Sequence, residues 1–118
     1  MPQMYTLTIA DEYLRVFDGN LSFNENRYRT IAVRKTATVS DIRDASMRAY
    51  HIAFDDSAHF YISQIVNDGE KIFADFLQLY NIIAEQMEEE ELTDPNPLRN
   101  LRRPEGRRGR IFLRLRET

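Results

Sequence analysis

The side chains with the most chemistry to offer are arginines. Eight of them fall in residues 95–118, and Arg99, Arg102, Arg103, Arg107, Arg108 and Arg110 stand close together. A guanidinium is permanently charged and presents a planar fork of donors that fits carboxylates and phosphates. Such a cluster can grip the phosphates of nucleic acid or of an anionic membrane. The stretch lacks interleaved aromatics apart from Phe112, and Pro104 and Glu105 interrupt it, so base stacking finds little support. A solvated loop, or one that neutralises nearby acid, ranks first. Membrane contact through Arg102, Arg103, Arg107 and Arg108 comes next, and nucleic acid last.

Other reactive types are scarce. With no cysteine there is no disulfide framework, no thiolate metal site and no cysteine nucleophile. His51 and His59 have no Ser or Cys constellation beside them and read as packing or surface residues. Gly19, Gly69, Gly106 and Gly109 form no phosphate cradle. The run Glu88–Glu91 reads as a solvated stretch; as a Ca²⁺ or Mg²⁺ site it lacks the alternating spacing of an EF-hand loop. No catalytic residue, metal or cofactor is expected.

The charge distribution adds direction. The 118 residues carry 16 Lys and Arg against 19 Asp and Glu, a net of −3. Residues 1–69 are near balance at −2, residues 70–94 stand at −7, and residues 95–118 at +6. Outside 70–94 the chain is therefore mildly basic, and the acid is concentrated in one segment. Length and a 42% hydrophobic content suit one domain with one core. No run is long and apolar enough to span a membrane. The start lacks the basic and apolar regions of a signal peptide, so an intracellular protein, or a fragment of one, is expected.

Several elements must position these groups. Tyr13–Phe17 reads as a strand rich in branched and aromatic residues. Asp18-Gly19-Asn20 is a turn signal, and Tyr28–Val33 the returning strand. Either Tyr28, Thr30 and Ala32 or Ile31 and Val33 form its inner side; alternation alone does not choose. Thr38 is placed to N-cap a helix with Asp41 closing a capping box, and Val39, Ile42, Ala45, Ser46 and Ala49 recur at helical spacing. His59–Val66 is a third strand, followed by the Asn67-Asp68-Gly69 turn. Across 71–92, Ile72, Phe73, Phe76, Leu77, Tyr80, Ile83, Ala84 and Met87 follow a helical pattern, although the first residues also suit a short strand. Asp94-Pro95-Asn96-Pro97 breaks any helix, and Ile111–Arg116 closes the chain as an alternating strand. Residues 1–11 read as an N-terminal extension or an extra strand, and 12–118 as a single domain. This order predicts an α+β, ubiquitin-like β-grasp roll: a mixed β-sheet packed on one main helix, with a helical and acidic insertion at 71–92.

The wording of these elements resembles the Ras-associating (RA) domain family. The carriers are Tyr13-Leu14-Arg15-Val16-Phe17-Asp18-Gly19, Tyr28-Arg29-Thr30-Ile31-Ala32-Val33, Thr38-Val39-Ser40-Asp41-Ile42-Arg43 with Ala45, Phe60-Tyr61-Ile62, Asp94-Pro95-Asn96-Pro97-Leu98 and Ile111-Phe112-Leu113-Arg114. Each is weak alone; their order and spacing carry the case. Residues 71–92 depart from the pattern, which usually has a shorter and more polar connection there. The Phe-Tyr-Ile and Arg-Pro-Glu-Gly wording leans toward versions found in diacylglycerol kinases.

The resemblance implies a non-catalytic interaction module within a larger signalling protein. Its partner would be a Ras-family small GTPase (Ras or Rap) in the GTP form, laid along the second strand as an added strand. It implies a cytoplasmic protein recruited to membranes. Contact cations are expected at Arg15, Arg29 and Arg48, with Arg27, Arg34 and Lys35 around the second strand. Asp41 and Asp44 dilute this positive face. The competing reading is a ubiquitin-like module used for intramolecular packing or anionic membrane contact, without GTPase binding.

Overall fold

The computed structural model describes residues 12–20, 26–66, 69–89 and 110–116. Its elements are β1 (Glu12–Asp18), β2 (Tyr28–Val33), α1 (Val39–Ala49), a 3-10 turn (Phe54–His59), β3 (Phe60–Val66), β4 (Gly69–Ile72), α2 (Leu79–Glu89) and β5 (Ile111–Leu115). The five strands form one mixed sheet in the order β2-β1-β5-β3-β4. β1 runs antiparallel to β2 and parallel to β5, while β3 is antiparallel to both β5 and β4. This is the expected ubiquitin-like α+β architecture, with α1 as the main helix and α2 within the segment where a helical insertion was expected. No described helix is long and apolar enough to cross a membrane.

Strand alternation sends Leu14, Val16, Ile31, Val33, Ile62, Ile111 and Leu113 to one face. They meet Val39, Ile42 and Met47 of α1 and Leu79, Ile83 and Met87 of α2 in a common core. Burial of each large aliphatic side chain is worth about 1.5–3 kcal/mol, enough to fix which face of every strand turns inward. The choice left open in β2 is thereby made: Ile31 and Val33 are buried, while Tyr28, Thr30 and Ala32 are exposed. The opposite face has its own smaller cluster, in which Phe17 lies 5.4 Å from Tyr28 and 6.1 Å from Phe112, ring to ring.

α1 begins as its sequence requires. Thr38 Oγ1 accepts from the Asp41 N–H at 3.2 Å, and the Asp41 carboxylate accepts from the Thr38 N–H at 3.0 Å. Its end is less expected. The His51 N–H donates to Arg48 O at 3.0 Å and the Ile52 N–H to Met47 O at 2.8 Å, with His51 at φ 61°. This is a Schellman stop, in which the left-handed position, usually glycine, holds histidine.

Of the two readings open for the first residues after Gly69, the structure takes the strand: β4 spans Gly69–Ile72. Glu70 and Lys71 pair with Ile65 and Gln64 of β3, and the Phe73 N–H continues the zipper onto Ile62 O at 3.0 Å. The helix starts only at Leu79. Ile72 and Phe76, which the helical pattern placed on its apolar side, are 56% and 79% exposed. The lead-in to α2 also caps α1: Val39 N–H donates to Leu77 O at 2.7 Å and Ser40 N–H to Asp75 O at 3.0 Å. These donors would otherwise be orphaned at a helix start. Arg43 adds an ion pair to Asp75 at 2.6 Å. The segment is thus part of the fold's frame.

Candidate protein-interaction edge

β2 lies at one end of the sheet, so one of its two hydrogen-bonding edges faces β1 and the other faces no described strand. The Asp18 N–H donates to Arg27 O at 2.9 Å across the start of the β1–β2 pairing, where the register sets Phe17 against Tyr28 and Val16 against Arg29. In an antiparallel pair the bonded residues alternate, so the main chains of Arg29, Ile31 and Val33 turn toward β1. Those of Tyr28, Thr30 and Ala32 turn outward. A row of donors and acceptors in this arrangement is a template for another strand.

The expected cations fall in four places. Arg27 and Arg29 share the helix-side face at the beginning of β2. Their guanidinium carbons lie 4.9 and 5.5 Å from the centre of the Tyr50 ring. Arg15, opposite Thr30 on β1, stands on the other face of the sheet, 4.7 Å from the Tyr28 ring. Arg34 and Lys35 follow the far end of β2, both exposed, with the Lys35 ammonium 5.4 Å from the Tyr80 ring of α2. Arg48 is exposed in the last turn of α1. The structure therefore brings Arg27 and Arg29 together, sets Arg15 across the sheet from them, puts Arg34 and Lys35 past the end of β2, and leaves Arg48 on α1. Arg102, Arg103, Arg107 and Arg108, the candidate membrane contacts, lie outside the described residues. So do residues 1–11, the Asn67-Asp68 part of the turn and the Asp94–Leu98 turn.

These cations are not equivalent. The Arg27 Nε is 3.7 Å from the carboxylate of Asp18, which is fully buried. Burial of a carboxylate is tolerable only with compensating partners, and the half-buried Arg27 stands beside this one. Arg29 is exposed; its Nη1 reaches the Tyr28 carbonyl only at 3.5 Å, a marginal bond. Asp44 takes an ion pair from Arg43 at 3.2 Å, and Asp41 is occupied by its capping bond. The two helix carboxylates are thus engaged locally and offset the positive edge less than their number suggests.

Tyr50 was missed by the sequence reading, although it continues the spacing of Ile42 and Ser46 by one more step of four. It is 7% exposed, and its hydroxyl donates to Val16 O at 2.8 Å. Burial, and secondarily the nearby Asp18 charge, push its phenol up to about 12, so it is neutral near pH 7. Tyr80 was read only as a helix-face residue; its ring contact with Lys35 depends on where α2 starts. Among the described residues no group of three or more His, Asp or Glu is placed to hold a metal ion.

An edge with permanently charged donors beside it can bind an acidic surface that offers a free strand. Comparison with known proteins agrees in kind. Residues 10–118 match the family described as Ras association (RalGDS/AF-6) domain. Diacylglycerol kinase theta of Mus musculus is 38% identical over 42 residues, 36% of this chain. The matched stretch is 4% of the length of that kinase.

Proposed function

Since the chain belongs to the Ras association domain family, whose members are non-catalytic modules that bind Ras-family small GTPases, we propose that it binds Ras or Rap in the GTP form through β2. The observation that carries this reading is the edge of β2 that faces no described strand, with Tyr28, Thr30 and Ala32 turned outward and Arg29 beside them. The GTPase would add its exposed strand, main-chain bonds supplying affinity and flanking arginines supplying selection. Acidic switch regions of the partner would meet Arg29, Arg15 and Arg48, with Arg34 and Lys35 at the far end. Arg pairs with carboxylates bidentately, and long-range attraction speeds encounter. Dependence on GTP would arise in the partner, whose switch loops order around the γ-phosphate. The likeness to a short stretch of the much longer diacylglycerol kinase theta supports a place within a larger protein, and binding to a Ras-family partner would make that a signalling protein recruited to membranes.

Calorimetric titration with Ras and Rap, each loaded with a GTP analogue or with GDP, tests the reading. Binding to the GTP-analogue form alone is expected, weakened at least about tenfold by Arg29→Glu. No binding across loaded Ras, Rap and Ral would overturn it and favour a packing or membrane role.

A further inference from the structure

We propose that Tyr50 is a positioning residue for recognition: its ring is the platform that holds Arg29 ready for the partner, while neighbouring Arg27 is retained by Asp18. The inference rests on the GTPase reading above and assigns different tasks to two arginines that the sequence presents as alike.

Three restraints fix the ring. Its hydroxyl donates to Val16 O at 2.8 Å, on the strand that pairs with β2. Its main-chain N–H donates to Ser46 O at 2.9 Å, in the stop of α1. Its body is 7% exposed, so it cannot swing away without opening the core. A ring held in this way has a defined face, and a guanidinium within about 6 Å of an aromatic centre is attracted by the ring quadrupole. Arg27 and Arg29 both meet that condition, two positions apart on the same side of β2.

Their surroundings then divide them. Arg27 lies 3.7 Å from a carboxylate with no solvent exposure. Moving it to a partner would take a cation away from a buried carboxylate. Arg29 has no such claim on it and is exposed. The platform narrows the rotamers of Arg29 before any partner arrives, so less freedom is lost on binding. The hydroxyl sets the plane of the ring and the ring sets the guanidinium. Phenylalanine would keep the platform with a looser anchor, and leucine would remove it.

The test uses the full chain, with Tyr50→Phe, Tyr50→Leu, Arg29→Ala and the Tyr50→Leu, Arg29→Ala pair. In the free protein, the Arg29 side-chain N–H resonance should carry a ring-current shift that Tyr50→Phe keeps and Tyr50→Leu abolishes. Affinity for Ras or Rap loaded with a GTP analogue should fall about three- to thirtyfold in Tyr50→Leu. It should fall no further when Tyr50→Leu is added to Arg29→Ala. An equal loss in both backgrounds would mean that Tyr50 acts only through stability, and overturns the proposal. Should Tyr50→Leu fail to fold, nuclear Overhauser contacts between the Tyr50 ring and the Arg29 side chain in the unmodified protein decide: their presence supports the proposal and their absence overturns it. If the ring-current shift is present but no loaded GTPase binds, the GTPase reading fails, and the recognition role of Tyr50 falls with it.

Discussion

The hydroxyl of Tyr50 donates to the main-chain carbonyl of Val16 at 2.8 Å, joining the end of α1 to the strand that pairs with β2. The bond is buried and couples helix position to the β1–β2 hairpin. Tyr50→Phe should cost about 1 kcal/mol at neutral pH, as expected for one intramolecular hydrogen bond. Denaturant titration at pH 7 measures it.

The same residue predicts an alkaline weakness. In the folded protein the phenol is pushed up to about 12, first by burial and then by the Asp18 charge, against about 10 when unfolded. Between those values the folded state holds a proton that the unfolded state has released. Stability therefore falls as pH rises from about 10 toward 12, and is unaffected by this group below that window. Melting temperatures at pH 9 and pH 11 should drop further for the wild type than for Tyr50→Phe. Equal drops would remove Tyr50 as the cause.

His51 occupies the left-handed stop of α1 at φ 61°. A non-glycine residue there carries a steric cost that glycine avoids. His51→Gly should raise stability by up to about 1 kcal/mol, with GTPase affinity unchanged, because the Schellman bonds are made by the main chain. A loss of stability would show that the His51 side chain contributes more than its backbone strain costs.

Gly19 is where β1 leaves the sheet beside β5. A Cβ there would stand 2.8 Å from Leu113 O and 2.5 Å from Arg114 Cγ. The arginine can shift, but the carbonyl is held by the Gly19 N–H at 3.1 Å. Gly19→Ala should destabilise by about 1–3 kcal/mol, the usual range for overpacking. Thermal unfolding would detect this, and an unchanged midpoint would contradict the close approach.

Strand addition can be separated from charge. Thr30 turns its N–H to the open edge, whereas Ile31 turns its own to β1. Proline is tolerated on an edge strand where the missing donor faced solvent. Thr30→Pro should thus destabilise the fold less than Ile31→Pro, yet abolish binding of a GTP-loaded partner while leaving every cation in place. Retained affinity in folded Thr30→Pro would exclude main-chain pairing at that residue.

Much of the scaffold was legible because it is written in short-range terms. β2 follows the bounds read from its residues, β1, β3 and β5 differ from theirs only at the ends, and the Thr38–Asp41 box starts α1 as expected. Capping needs residues three apart, and alternation needs neighbours two apart, so both are visible in a line of letters. The segment after Gly69 was harder for the same reason. Phe73, Leu77, Tyr80, Ile83 and Met87 suit a helix, but pairing with β3 claims residues 69–72 before any helix can form. The acidic content of 70–94 also concealed how firmly its beginning is built into the frame through Asp75, Leu77 and Glu70. Glu70 accepts from Ser63 at 2.7 Å and pairs with Arg114.

The amino-acid sequence by itself determined the types of the elements other than β4, the start of α1, the absence of cysteine chemistry and the concentration of cations in and beside the second strand. Only the tertiary structure decided that β2 is an edge, because strand order depends on β5 inserting beside β1 from the far end of the chain. Packing also decided that Ile31 and Val33 face the helices, placing Arg29 over Tyr50 and Arg15 on the opposite face. A strand's alternation names two sides without ranking them. Burial against α1 and α2 ranks them, and so settles the side of the sheet from which each arginine reaches the edge.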